Sequence, residues 1–109
     1  MGAIAVEHDH YTLINVFTVD PVDQDRMCQA IVEATDVIRG FPGFVSANLH
    51  KSHDGTKVVN YAQWRSKAEF DAMRAHPDAQ AHFAECRAIT DDIEPIFCRV
   101  EYVHEEPGR

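Results

Sequence analysis

Asp54-Gly55-Thr56-Lys57-Val58-Val59-Asn60-Tyr61-Ala62-Gln63-Trp64 is the stretch that decides the fold of this chain. An Asp-Gly pair ahead of a run rich in β-branched and aromatic residues signals a hairpin, because glycine readily takes the positive φ that a two-residue type I′ turn demands. With that turn centred on Asp54-Gly55, Asn60 faces Leu49, Ala62 faces Ala47 and Trp64 faces Val45 across the hairpin. Side chains alternate along a strand. These six residues therefore share one face, and Ser46, Asn48, His50, Val59, Tyr61 and Gln63 share the other. A buried amide costs free energy unless it is hydrogen-bonded. Asn60, set opposite apolar partners, therefore needs a role of its own.

Working outward, Tyr11 to Val19 reads as a strand, and Asp20-Pro21 as an N-cap followed by proline at the first helical position. Met27, Ile31, Ala34 and Ile38 recur at helical spacing until Gly40 and Pro42 end the helix. Phe44 to Ser52 and Lys57 to Trp64 are the hairpin strands. Ser66-Lys67-Ala68-Glu69 is a capping box opening a short helix that carries Phe70 and Met73, and His76-Pro77 interrupts it. Ala79, Phe83, Cys86 and Ile89 or Thr90 form a second helical stripe reaching about Asp92, and Pro95 to Val103 reads as the last strand.

The order β-α-β-β-α-α-β is that of an α+β, ferredoxin-like split βαβ sandwich with a four-stranded antiparallel sheet. Residues 1–10 read as a flexible leader, 11–104 as the domain and 105–109 as a solvated tail. Helices can cover only one face of such a sheet. The other carries Val59, Tyr61 and either Ile14 with Val16 or Leu13 with Phe17, so the first strand is apolar on both sides. A second subunit packed sheet to sheet is the simplest cover, giving a homodimer.

The bulk properties narrow the function. The chain has 109 residues, 45% hydrophobic and 26% charged, with a net charge of −8. That balance disfavours binding a phosphate backbone, so no nucleic-acid partner is expected. No apolar run approaches the ~20 residues that span a bilayer, and the first residues lack the basic segment of a signal peptide. No membrane association and a cytoplasmic location are the expectations. Cys28, Cys86 and Cys98 are odd in number and widely spaced, and read as small buried hydrophobes rather than a disulfide framework. His8 and His10 with Asp9 have chelating spacing but read as a solvated leader, so no metal site is expected.

From Tyr11 to Val103 the chain resembles the antibiotic biosynthesis monooxygenase (ABM) domain family, dimeric α+β barrels. The resemblance rests on Phe41-Pro42-Gly43-Phe44-Val45-Ser46-Ala47 and on Asp54-Gly55-Thr56 with Val59-Asn60-Tyr61-Ala62-Gln63-Trp64. It implies a pocket between sheet and helices, with Asn60 and Trp64 hydrogen-bonding the oxygens of an aromatic substrate. In the quinone-forming members a polyketide anthrone or hydroquinone is oxidised by O₂ without metal, flavin or haem. Phe17, Phe70, Met73, Phe83 and Asn15 are expected to line the same cavity as substrate-binding residues.

The match departs from the family at two places. Phe70 stands where some members have Tyr, and approximately Phe83 where they have Arg, so both proton-handling groups are absent. His82 is the nearest group that titrates near neutral pH, and it is taken as the third catalytic candidate. The haem-degrading branch of the family offers an alternative. There Asn15 and His82 match an Asn and a haem-ligating His, while the Trp of that branch falls near Met73 or Ala72. A non-catalytic, ligand-binding dimer is the third reading.

Overall fold

The hairpin closes through Ser52, whose N–H donates to the Lys57 carbonyl at 3.0 Å and whose carbonyl accepts from the Gly55 N–H at 3.2 Å. Residues 10–107 are described by this computed structural model, and the expected leader lies almost wholly outside them. The turn is longer than the two-residue form expected from Asp54-Gly55. It is centred on the same pair, however, with Gly55 at φ +82°, so the register is unaffected.

Strand β2 (Phe44–Lys51) pairs with β3 (Lys57–Trp64), Leu49 opposite Asn60 and Ala47 opposite Ala62. The expected pairing of Trp64 with Val45 is overturned. A β-bulge between Phe44 and Ser46 leaves Val45 over and brings Phe44 opposite Trp64. The two rings then meet edge to face, 5.5 Å between centroids.

Strand β1 (Tyr11–Thr18) follows β3 in the sheet and β4 (Ile93–Cys98) closes the order β2-β3-β1-β4, every pair antiparallel. β4 starts two residues earlier than the sequence suggested and ends at Cys98 instead of Val103. Cys98 pairs with Thr12, and β1 begins one residue before that, so residues past Cys98 run off the end of their partner.

The helices follow their caps. The Asp20 carboxylate accepts from the Val22 N–H, and one 3₁₀ turn (Pro21–Asp23) leads into α1 (Gln24–Ile38). The Gln24 amide donates to the Ser52 and Lys57 carbonyls, both at 3.0 Å, tying the start of α1 to the hairpin end. Ser66 accepts from the Glu69 N–H at 3.2 Å and so caps α2 (Lys67–Ala75) as a capping box should. Pro77 opens α3 (Pro77–Ile89), where the His76 imidazole accepts from the Asp78 N–H. Among the described residues no helix is long and apolar enough to cross a membrane.

The helices lie on the face of the sheet that carries Phe17, Val58, Leu13 and Trp64, which leaves Ile14 and Val16 on the opposite face with Val59 and Tyr61. Beneath the helices the core falls into two clusters. One joins Phe17, Val19 and Val58 to Met27, Ala30, Ile31 and Cys86. The other joins Trp64, Phe70, Met73 and Ala79, with Tyr11, Leu13, Ile38 and Phe83 against them. This is the α+β ferredoxin-like architecture read from the sequence.

Candidate active site

Between the two clusters the sheet carries a polar seam. Asn15 pairs directly with Asn60 across β1 and β3, and the row continues to Leu49 on one side and Pro95 on the other. The Oδ1 atoms of both asparagines are buried without a hydrogen-bond partner. An unsatisfied buried polar group costs about 1–3 kcal/mol, so two of them side by side are an expense that packing alone does not explain.

A third unsatisfied atom belongs to the helix layer above. His82 lies on α3 between Ala79 of one cluster and Cys86 of the other. Its side chain is 23% exposed, and its Nδ1 is buried with no hydrogen bond. The Glu85 carboxylate stands 4.0 Å from that nitrogen, beyond hydrogen-bond reach. Cys86, close by on the same helix, is a buried thiol whose pKa is pushed up by that burial, in keeping with a packing role.

Asn60 borders a cavity of about 140 Å³ between α1 and β2, lined also by Ile31, Val32, Thr35, Asp36, Ala47 and Leu49. The Trp64 end is different. Trp64 is 2% exposed and sits in an aromatic cluster, edge-on to Phe44 and, with ring centroids 6.0 Å apart, to Phe70. Phe70 in turn meets Tyr11 and Phe97, each with centroids 5.6 Å away, and Tyr11 stacks on Phe97. Four residues of extended strand put Asn60 and Trp64 roughly 13 Å apart along one face, with the buried Ala62 between them.

Of the residues singled out from the sequence, Phe70, Met73 and Phe83 pack with Trp64, and Asn15 adjoins Asn60. Phe17 belongs to the other cluster, on the far side of the polar seam from Trp64. His8 and Asp9 lie outside the described residues. Sequence reading missed Tyr11, Phe44 and Phe97 of the aromatic cluster, and Val32, Thr35 and Asp36 of the cavity. Val32 and Thr35 had a faint signal, since each lies one position beyond a member of the Ile31, Ala34 and Ile38 stripe and so flanks the core face, whereas Asp36 had none. A larger groove of about 390 Å³ lies between α1 and α3. Arg26, Gln29, Glu33 and Glu85 line it, none carrying an unsatisfied buried atom, so it lacks the feature that marks the asparagine seam.

Comparison with known proteins agrees with this architecture. Over 103 residues, 94% of this chain and 91% of the relative, the sequence is 50% identical to the tetracenomycin-F1 monooxygenase of Streptomyces glaucescens. A monooxygenase from the gene ActVA-Orf6 of Streptomyces coelicolor, solved in complex with nanaomycin D, superposes with a TM-score of 0.78 and 27% identity. That match covers 92% of this chain and 95% of the other. The fold is also that of SnoaB, a cofactor-independent oxygenase from Streptomyces nogalater (TM-score 0.78, 24% identity, 90% of this chain and 99% of that one). Residues 10–85 match the model of the antibiotic biosynthesis monooxygenase family, and the chain belongs to that family.

Proposed function

We propose that this protein is a cofactor-independent monooxygenase of an aromatic polyketide pathway, oxidising a multi-ring anthrone or hydroquinone with O₂ to a quinone. The family and the 50% identity to tetracenomycin-F1 monooxygenase support the reaction class. The observation that carries the site is the pair of unsatisfied amides of Asn15 and Asn60 on the same sheet face as Trp64.

An electron-rich phenol or anthrone reacts with O₂ once it has lost a proton, because the anion itself is the electron donor. The protein's task is to hold that anion in a dry place. The Asn60 amide and the Trp64 indole are neutral N–H donors that stabilise an oxyanion without the desolvation cost of a buried charge. The amide also turns about its last torsion, exchanging Oδ1 for Nδ2, so it can accept from the phenol and donate to the phenolate. His82 takes the proton. For an anthrone the overall change is R₂CH₂ + O₂ → R₂C=O + H₂O, and the substrate supplies all four electrons. Asn15 lines the site beside Asn60, while Phe70, Met73 and Phe83 shape its aromatic end.

The active form is a homodimer that covers the outer sheet face, where Ile14, Val16, Val59 and Tyr61 stand without a helix above them. The test is O₂ consumption with a panel of anthrones and hydroquinones. Asn60→Ala and Trp64→Phe are each expected to lower the rate, and unchanged rates in both would remove the proposed site. The haem reading through His82 gains nothing from the relatives named above. A Soret shift on titration with haemin, abolished by His82→Ala, would revive it.

A further inference from the structure

The polar seam is sealed in this structure. Oδ1 of Asn15, Oδ1 of Asn60 and Nδ1 of His82 are all buried, and none of the three has a hydrogen-bond partner. An atom that water cannot reach is equally closed to a substrate oxygen, so an element over the seam must move before these groups can act. The strands cannot supply that movement, because each is held to its neighbours by an antiparallel ladder. Nor can α1, which buries Gln24, Met27, Ala30, Ile31 and Ala34 and is tied to the hairpin through Gln24. The helix α3 is anchored more lightly. It buries Ala79 and Cys86, two small side chains, with Phe83 and Ile89 half-buried beside them, and the stabilisation from burial scales with the apolar area covered. Its two ends also differ. At the start, the extended His76 and then Pro77 separate it from α2, yet Gln80 donates to the Arg74 carbonyl and so ties that end to α2. At the far end the extended Thr90 holds the sheet by one hydrogen bond, from its hydroxyl to the Thr18 carbonyl at 2.7 Å. Among the described residues no hydrogen bond or ion pair joins α3 to α1. The groove of about 390 Å³ runs beside Glu85, Ala88 and Ile89, so the far half of α3 has room on its α1 side.

On the reading of the seam as the substrate site, we propose that α3 is its lid, hinged at His76-Pro77 and latched to the sheet by Thr90. The free end lifts from β1 when the Thr90 latch breaks, and the seam opens toward β4, where Pro95 stands exposed in the same row as Asn15 and Asn60. The His76 imidazole accepts from the Asp78 N–H and keeps the first turn of α3 whole as the helix swings. Closing over a bound substrate does two things. It returns His82 to its place above the two amides, and it shuts water away from the substrate anion, where neutral N–H donors count for most. Without substrate the closed lid leaves three polar atoms unsatisfied. Those unmade hydrogen bonds favour opening, and a substrate that supplies them favours closure.

Amide hydrogen exchange on the full chain, followed by mass spectrometry, tests this. In the free protein the amides of the far half of α3 should exchange at least about tenfold faster than those in the middle of α1. Saturating 1,8-dihydroxyanthraquinone should slow α3 by about tenfold or more and α1 by less than about twofold. Its binding is read separately from the quenching of Trp64, the one tryptophan of the chain. Thr90→Val keeps the shape of the side chain and loses the latch, so it should speed exchange in α3 at least about threefold with α1 unchanged. Thr90→Ser keeps the hydroxyl and should exchange like the wild type, which separates loss of the latch from a general loosening. Exchange in α3 as slow as in α1 overturns the proposal. So does bound quinone that leaves α3 unprotected, and so does an α3 that Thr90→Val leaves unchanged. A wild type that neither binds the quinone nor turns over an anthrone or hydroquinone refutes the functional reading instead, and the lid's role with it. Exchange in the free protein shows separately whether α3 opens by itself.

Discussion

Replacing Asn60 by leucine should make the protein more stable and nearly inactive. Leucine has almost the shape of asparagine and no polar atom, and Asn60 faces Leu49 across the hairpin. The Oδ1 atom it removes is buried and unpartnered. Relieving such an atom is worth about 1–3 kcal/mol. Asn60 as a whole is only partly buried, which puts the gain near the lower end, about 1 kcal/mol. For a domain of this size that corresponds to a rise in Tm of roughly 4–8 °C. The same substitution removes an oxyanion donor, and such losses lower kcat by about 10²–10³-fold. The assays are thermal and urea unfolding of both proteins at one fixed concentration, since the proposed dimerisation would make Tm concentration-dependent, together with anthrone-dependent O₂ uptake. A lower Tm in Asn60→Leu at an unchanged urea slope would refute the reasoning. It would mean that the amide is satisfied in solution by ordered water, and that its cost is not held in reserve for a substrate.

Three further outcomes follow from named contacts. Asp54 accepts from the Thr56 N–H and from the Ser52 and Thr56 hydroxyls, which holds its carboxyl down at about 2 against an ordinary 3.8. A depressed folded-state pKa gives stability that is present above pH 3.8 and lost as the pH falls toward 2. The stability difference between wild type and Asp54→Ala should therefore shrink across that window in acid titrations followed by circular dichroism. Gly43→Ala should destabilise by about 2 kcal/mol in urea, because a side chain at positive φ costs ~1–2 kcal/mol. Its Cβ would also stand 2.5 Å from the Glu69 Cδ, pushing that side chain off the capping box and away from Arg65. Trp64→Phe should cost roughly 1–3 kcal/mol by the same measurement, since it opens space beside Phe44 and Phe70 in a fully packed cluster.

Much of the architecture could be read from local chemistry. The register of β2 against β3 follows from the position of Asp54-Gly55, and it survived a longer turn because that turn kept the same centre. The starts of α2 and α3 follow from the Ser66 capping box and from Pro77. The two departures both lie where long-range pairing overrides local propensity. Arg99 to Val103 has strand-like composition, but β1 has no backbone left to pair with it. The bulge at Val45 gives that exposed residue no partner and brings Phe44 onto Trp64, a choice made by packing in the aromatic cluster.

The strand face that Asn60 and Trp64 share is legible in the chain's local pattern, because side-chain alternation and a hairpin centre are properties of a few consecutive residues. That His82 flanks the buried stripe of its helix is legible there too, because helical periodicity is equally local. It took the packed fold to set Asn15 directly against Asn60, to place their unsatisfied oxygens between the two core clusters, and to leave a small groove between α1 and β2 beside Asn60. Burial and the absence of a hydrogen-bond partner depend on every element that packs around an atom, and in this protein those elements are separated by most of the chain.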